Sequence, residues 1–106
     1  MILTTTEHIA GKKIAKTMGL VRGSTIRARH MGRDIMAALR GIVGGEIVEY
    51  TKLIAESREQ SIDRMVAEAE ELGANAIVMI RFSTSEIMKG AAELLAYGTA
   101  VTVEDK

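Results

Sequence analysis

The chain has 106 residues, which is enough for one domain but not for two, so we expect a single domain over residues 1–106. Because the chain contains no cysteine, disulfide bonds, thiolate metal sites and cysteine nucleophiles are excluded. The formal net charge is zero, and no apolar stretch approaches the roughly 20 residues that span a bilayer. No signal-peptide pattern opens the chain. These features predict a soluble cytoplasmic protein that has no membrane partner.

The first part of the chain predicts strands. Residues 2–6 and 14–21 have the short, β-branched, alternating pattern of strands, and residues 24–28 continue the second of them. Gly19 and Gly23 interrupt this second strand. Glycine inside a strand pattern indicates a bend or a bulge.

Two helices are predicted next, a short one and a long one. Residues 32–42 repeat apolar side chains at helical spacing, and the glycines at positions 44 and 45 separate them from the next helix. Residues 46–72 are predicted to form the long helix, with Gly73 as its C-terminal stop. One face of that helix recurs at steps of three, four and seven residues: Ile47, Tyr50, Ile54, Ser61, Met65, Ala69 and Leu72.

The last third of the chain predicts a hairpin. Residues 77–82 are apolar on both faces, which is typical of a central strand, and residues 88–91 form the tip. Residues 94–103 return as a strand, with Gly98 where another backbone or side chain packs closely. The order ββααββ predicts an α+β domain, with an antiparallel sheet of about four strands packed on the long helix and the short helix before it.

The predicted long helix also suggests an assembly. At 1.5 Å per residue it would be roughly 40–45 Å long, whereas a compact chain of this size has a radius of gyration near ~13 Å. We therefore expect one end to extend past its own sheet. The apolar residues at the two ends would then need cover from another subunit: Ile47 and Val48 at the start, and Met65, Val66 and Leu72 at the end. A kinked or shorter helix that fits on one sheet is the alternative.

Charge is segregated along the chain. Residues 12–40 contain eight basic residues and one acid, and residues 46–71 contain eight acids and three basic residues. A basic surface for nucleic acid is one interpretation. The basic stretch lacks aromatic residues that would stack on bases, so we do not expect nucleic acid as a partner and favour charge complementarity within or between subunits.

Metal binding has two local candidates, for a divalent metal ion as cofactor. His30 and Asp34 are four residues apart, which would place both side chains on one helical face, and His8 follows Glu7 directly. Most such pairs are solvated surface residues. Without a thiolate, selectivity for soft heavy metals would be hard to explain.

Catalysis has no recognisable arrangement. The serines lack the G-x-S-x-G turn, and neither histidine stands in a catalytic pattern. Polar side chains beside the apolar faces of the two helices suggest either a hydrogen-bond network or a pocket at a subunit junction. They are Arg33, Asp34, Tyr50 and Arg58. We expect a non-catalytic assembly that binds a metal or a small ligand; the alternative is an enzyme with its site at this junction.

Several short sequences occur in a characteristic order along the chain. They are Thr4-Thr5-Thr6, Gly11-Lys-x-Ile14, Arg33-Asp34, Ile42-Val43-Gly44-Gly45, Tyr50, Ala55-Glu56-x-Arg58, Leu72-Gly73-Ala74-Asn75-Ala76 and Gly98-Thr99-Ala100-Val101. With these pieces the chain resembles the YbjQ family of putative heavy-metal-binding proteins over nearly its whole length. The resemblance implies a small α+β subunit, dodecin-like in broad fold, assembled as a ring, with a homopentamer as the first expectation.

Overall fold

In the part of the chain that the structure describes, four strands form one sheet, and a long helix packs against it. The computed structural model describes residues 1–28, 48–88 and 91–106. The elements are β1 (Ile2–Leu3), β2 (Lys12–Ala28), α1 (Val48–Glu71), β3 (Ala76–Met88) and β4 (Ala91–Asp105). The strand order in the sheet is β1-β3-β4-β2. The predicted α+β class is confirmed, whereas the predicted short helix over residues 32–42 and the glycines after it lie outside the described residues.

The sheet is mixed, so the prediction of an antiparallel sheet was wrong at one edge. β2 and β3 each pair antiparallel with β4, but β1 pairs parallel with β3, with Ile2 opposite Ala76 and Leu3 opposite Ile77. The predicted strand over residues 2–6 is also shorter than expected. Its backbone hydrogen bonds nevertheless continue past Leu3, since the Thr4 amide donates to the Ile77 carbonyl at 3.0 Å. The chain reaches β3, the strand beside β1, only after β2 and α1, and this long connection allows the parallel pairing.

The helix contacts β2 most closely at Gly23. A Cβ atom at that position would overlap the Ser61 carbonyl oxygen and lie 2.5 Å from the Met65 amide nitrogen. Gly23 therefore lies where the backbones of α1 and β2 are in contact, and the bulge predicted at Gly23 was wrong. Gly19, with φ of +119°, lies where the β2–β4 register shifts, so the bulge predicted there is confirmed.

The core lies between α1 and the helix-facing side of the sheet. Its buried members come from the helix and from three strands: Val21, Met65, Ala69, Ile77, Ile80, Ala96 and Ala100. The predicted helix face is confirmed at Ser61, Met65 and Ala69, all fully buried. Leu72 is 46% exposed because it lies beyond the last helical residue. Close packing at Gly98 is confirmed, since a Cβ there would lie 2.7 Å from the Ile77 side chain.

The predicted stop at Gly73 is confirmed as a Schellman turn. Gly73 has φ of +83°, its amide donates to the Glu70 carbonyl at 3.0 Å, and the Ala74 amide donates to the Ala69 carbonyl at 3.1 Å. These two bonds satisfy helix-end carbonyls that would otherwise lack partners. The turn leads directly into β3, so the end of α1 fixes where the central hairpin begins.

The described helix is shorter than the strand that it packs on, so its length gives no reason for one end to extend past the sheet. Its 24 residues span about 36 Å at 1.5 Å each, whereas the 17 residues of β2 span about 56 Å at 3.3 Å each. The strands are the longer elements. Met65, expected at an uncovered end of the helix, is fully buried against the sheet. Any argument for an assembly must therefore come from the strands.

Candidate functional site

The predicted junction pocket falls mostly outside the described part of the chain. Arg33, Asp34 and His30 belong to residues 29–47, and the side chain of Tyr50 is likewise outside the description. Arg58 is described, and it is an exposed residue of α1. The grouping of these four polar residues stays a prediction, as does the metal pair formed by His30 and Asp34.

The second metal candidate lies in the segment between β1 and β2. Glu7 and His8 are both exposed there. Within residues 1–28, 48–88 and 91–106, no three His, Cys, Asp or Glu side chains converge on a point that would hold a metal ion. His8 and Glu7 therefore stay a predicted pair of ligands without a third protein ligand among these residues.

His8 lies instead in a cavity at the end of the sheet where β2 begins and β4 ends. The cavity has a volume of about 490 Å³ and combines an apolar floor with a basic rim. Its lining residues are His8, Ile9, Ala10, Lys12, Lys13, Ile14, Val103 and Lys106. Volumes of this size are typical of small-molecule sites, in which apolar walls surround a few polar groups.

The wall of this cavity that carries His8 is held by a relay of threonines. The Thr6 hydroxyl donates to the His8 carbonyl at 2.6 Å, and the Thr4 hydroxyl lies 2.7 Å from the Thr6 hydroxyl. Because Thr6 has one hydroxyl proton and uses it on His8, Thr4 must donate to Thr6. Gly11, with φ of +76°, then turns the chain into β2, and the Lys12 amide donates to the Ile9 carbonyl at 3.1 Å.

The lysines of the basic rim differ in whether a carboxylate of the protein already pairs with their ammonium group. The Lys12 ammonium is 2.5 Å from an Asp105 carboxylate oxygen, and the Lys13 ammonium is 3.3 Å from a Glu104 carboxylate oxygen. Lys12 and Asp105 face each other across the β2–β4 ladder, as do Lys13 and Glu104. Lys106 makes no ion pair with any residue in the described ranges. Lys13 and Glu104 are both more than half exposed, so their pair is weak and easily exchanged.

The Lys12–Asp105 pair is the stronger of the two. The hydrogen bond from Lys12, together with its positive charge, lowers the pKa of the Asp105 carboxyl below its ordinary value. Asp105 therefore stays ionised and holds Lys12 at neutral pH. This contact restrains the end of β2 beside the cavity.

A second polar group lies under the helix, where its hydroxyls bond to the backbone. The Ser61 hydroxyl is 3.0 Å from both the Ser57 and Leu94 carbonyls, and the Thr25 hydroxyl is 3.3 Å from the Ser57 carbonyl. Arg27 donates from Nε to the Ser57 hydroxyl at 2.5 Å. Within the described residues every buried side-chain nitrogen or oxygen has a hydrogen-bond partner. These serines fix the helix on β2 and β4, and their burial keeps them away from any substrate.

The sheet face turned away from the helix carries exposed apolar side chains. Val21, Gly23 and Thr25 are buried under the helix, so the alternating residues of β2 point to the opposite face. There Leu20 is 62% exposed and Ile26 is 59% exposed. We call Leu20 and Ile26, together with Leu95 and Tyr97 of β4, the open face; Leu95 pairs with Ser24 and Tyr97 with Arg22 in the β2–β4 ladder. Ile9 packs against a separate buried cluster that contains Val101 and Val103.

Sequence reasoning missed both the cavity and the open face. Lys12 and Lys106 are nearly a full chain length apart, and only the β2–β4 register brings them together. The open face was missed because the sequence of β2 predicts a strand without indicating which of its two faces the helix covers. Positions 20, 22, 24 and 26 share one face of the strand, and two of them carry large apolar side chains, Leu20 and Ile26. This pair was the sequence signal that could have found the open face.

Curated relatives match the chain from end to end. A UPF0145 protein of Methanosarcina acetivorans is 58% identical over 106 residues and covers 100% of both chains. A UPF0145 protein of Dehalococcoides mccartyi is 62% identical over 104 residues, covering 98% of this chain and 100% of its own. One from Archaeoglobus fulgidus is 54% identical over 101 residues, covering 95% and 94%.

A solved structure supports the fold. The crystal structure of a protein of unknown function of the DUF74 family from Pediococcus pentosaceus matches with a TM-score of 0.65 over 98% of each chain. Its sequence identity is 15%, so the likeness concerns the fold alone. In the described part of this chain, no helix has both the length and the apolar character needed to cross a bilayer.

A family model described as "putative heavy-metal-binding" matches residues 1–104, nearly the whole chain. The full-length relatives agree with that match, and so do the sequence pieces that carried the resemblance. The chain therefore belongs to the YbjQ family, and its close relatives are UPF0145 proteins.

Proposed function

We propose that the protein is a non-catalytic homo-oligomer that binds a small ligand or a metal ion. The open face carries this proposal, because Leu20 and Ile26 leave more than half of their side-chain surface in water on a regular sheet. Burying such surface stabilises an assembly by about 25 cal/mol per Å². Other copies of the same chain are always present in solution. Self-association is therefore the simplest way to bury the open face. The family resemblance favours a ring of five subunits.

Changing the open face tests the assembly. The double variant Leu20→Glu with Ile26→Glu places two charges on the open face without touching the core, so the assembly should dissociate to chains of 11.5 kDa. Ala67→Glu adds the same chemical group on an exposed position of α1 and is the matched control. Sedimentation velocity distinguishes the two. If the double variant keeps the wild-type sedimentation coefficient, the open face is not the interface.

The non-catalytic role is supported by the state of the hydroxyl groups. Ser57 and Ser61 are buried and bonded to neighbouring groups, which leaves them unable to act as nucleophiles. An enzyme site at the junction of Arg33, Asp34, Tyr50 and Arg58 is the competing proposal. Native mass spectrometry of the purified protein would reveal any retained organic molecule, and a molecule lost in Arg33→Met would favour that enzyme site.

The metal proposal has its own test. Elemental analysis of protein purified without added metal measures the metal content per chain. Stoichiometric metal that disappears in His30→Ala, and persists in His8→Ala, would assign the site to His30 and Asp34. Loss in His8→Ala alone would assign it to His8 and Glu7. Metal-free protein whose melting temperature is unchanged by divalent ions would remove the metal from the proposal.

A further inference from the structure

We infer that the cavity between the 4–11 segment and the β2–β4 end binds a small organic anion, a carboxylate with an apolar body. The inference rests on the ligand-binding part of the proposed function and names its site and ligand class. It is carried by the combination of an apolar floor and a lysine rim in one cavity of about 490 Å³.

The floor favours an apolar body. Val103 is 8% exposed and packs with Ile9, whereas Ile14 beside it is 41% exposed. Ile14 and Val103 are direct partners in the β2–β4 ladder, so their side chains lie next to each other on one face. A hydrocarbon chain or an aromatic ring laid across them would remove the exposed side of Ile14 from water.

The rim favours a negative charge. Lysine stems line apolar surface while their ammonium groups stay at its edge in water, which places the charge where the head of an amphipathic ligand would lie. Lys106 makes no ion pair within the described ranges, and Lys13 has only the weak, exposed pair with Glu104. The Lys106 ammonium is therefore available to a carboxylate, whereas the Lys13 side chain alternates with Ile14 along β2 and lies on the other face of the sheet. Lys12 is engaged by Asp105 and mainly shapes the wall.

The same rim disfavours a metal cation in this cavity. Three lysines line it, and none of its lining residues is acidic. A divalent cation beside His8 would have to approach these ammonium groups without a carboxylate ligand from the lining. An anion meets the opposite sign of charge at Lys106, which makes no ion pair within the described ranges.

Octanoate is the test ligand, and octanol of the same chain length is its uncharged comparison. Methyl-labelled protein reports binding through Ile9, Ile14 and Val103, which all line the cavity. We expect octanoate to shift these three methyl signals while methyls under the helix stay unchanged. Octanol should bind about fivefold more weakly or worse, since it lacks the charge that meets Lys106.

Two variants with matched side-chain volume locate the charge. Lys106→Met should weaken octanoate binding about fivefold or more and leave octanol binding unchanged. Lys16→Met is the control, because Lys16 is an exposed residue of β2 outside the cavity and should keep wild-type affinity. A ligand-free methyl spectrum that matches the wild-type spectrum shows that a variant is folded.

Three results would overturn the inference. They are equal binding of octanol and octanoate, octanoate binding that Lys106→Met does not weaken, and no shift of the cavity methyls at millimolar octanoate. Sedimentation of the same samples tests the assembly independently. An intact oligomer without octanoate binding would reject the anion site alone, whereas a monomer that binds octanoate would reject the assembly alone.

Discussion

Gly23 is the residue at which the fold tolerates least change. The helix backbone passes so close to β2 there that the Ser61 carbonyl and the Met65 amide occupy the space of a side chain. This contact explains why two serines, and not larger residues, face the sheet on the neighbouring turns of α1. Their hydroxyls reach the backbone at short range and leave the helix close to the strand.

Replacing Gly23 tests this contact. Gly23→Ala should lower the free energy of unfolding by about 3 kcal/mol, because the methyl group meets backbone atoms that cannot rotate away. Ser24→Ala, on the opposite face of the same strand, is the control and should change stability by less than about 0.5 kcal/mol. Urea denaturation measures both. A Gly23→Ala protein as stable as its control would show that the helix lies farther from β2.

The ion pair at the cavity makes a prediction about pH. Lys12 lowers the folded-state pKa of Asp105, so the pair stabilises the fold above the unfolded pKa and this contribution is lost as pH falls through the lowered folded pKa. In Lys12→Met, the Asp105 carboxyl should titrate at higher pH than in the wild type. Carboxyl carbon chemical shifts followed from neutral to acid pH measure both pKa values. Identical titration curves would mean that the pair does not form in solution.

At the scale of elements, local patterns predicted what depends on local sequence. The long helix was expected over residues 46–72 and is observed over Val48–Glu71, because its apolar face and its glycine stop lie within a few turns of each other. The parallel edge formed by β1 was missed, since a two-residue strand is too short for its sequence pattern to indicate which strand it pairs with. The cavity was missed for the same reason: its lysines come together through pairing across most of the chain.

The helix stop offers a prediction at this scale. Gly73→Ala should lower the free energy of unfolding by about 1 kcal/mol, because a side chain at φ of +83° meets the adjoining carbonyl. Gly73→Asn should lower it by less, since asparagine tolerates this conformation better. Thermal unfolding followed by circular dichroism measures the order of the three proteins. Equal loss in both variants would show that the loss does not come from the left-handed backbone conformation at position 73.

The whole molecule is extended and thin. Its Cα radius of gyration is 17.2 Å, and its extents are 55 × 25 × 16 Å, whereas a compact chain of about 100 residues has a radius near ~13 Å. The smallest extent corresponds to one helix layer on one sheet layer. Long strands with a helix on one side leave the open face without cover from the described residues. This shape supports the proposal that copies of the chain cover one another at the open face.

Sedimentation equilibrium of the unmodified protein at micromolar concentration is the most direct test of the proposed assembly. The mass is measured without a label, a ligand or a substitution. The account predicts a single species well above 11.5 kDa, with five times that mass as the expected value. A dimer would keep the role of the open face and reject the ring of five. A species of 11.5 kDa alone would contradict the assembly, because Leu20 and Ile26 would then remain in water in the working protein.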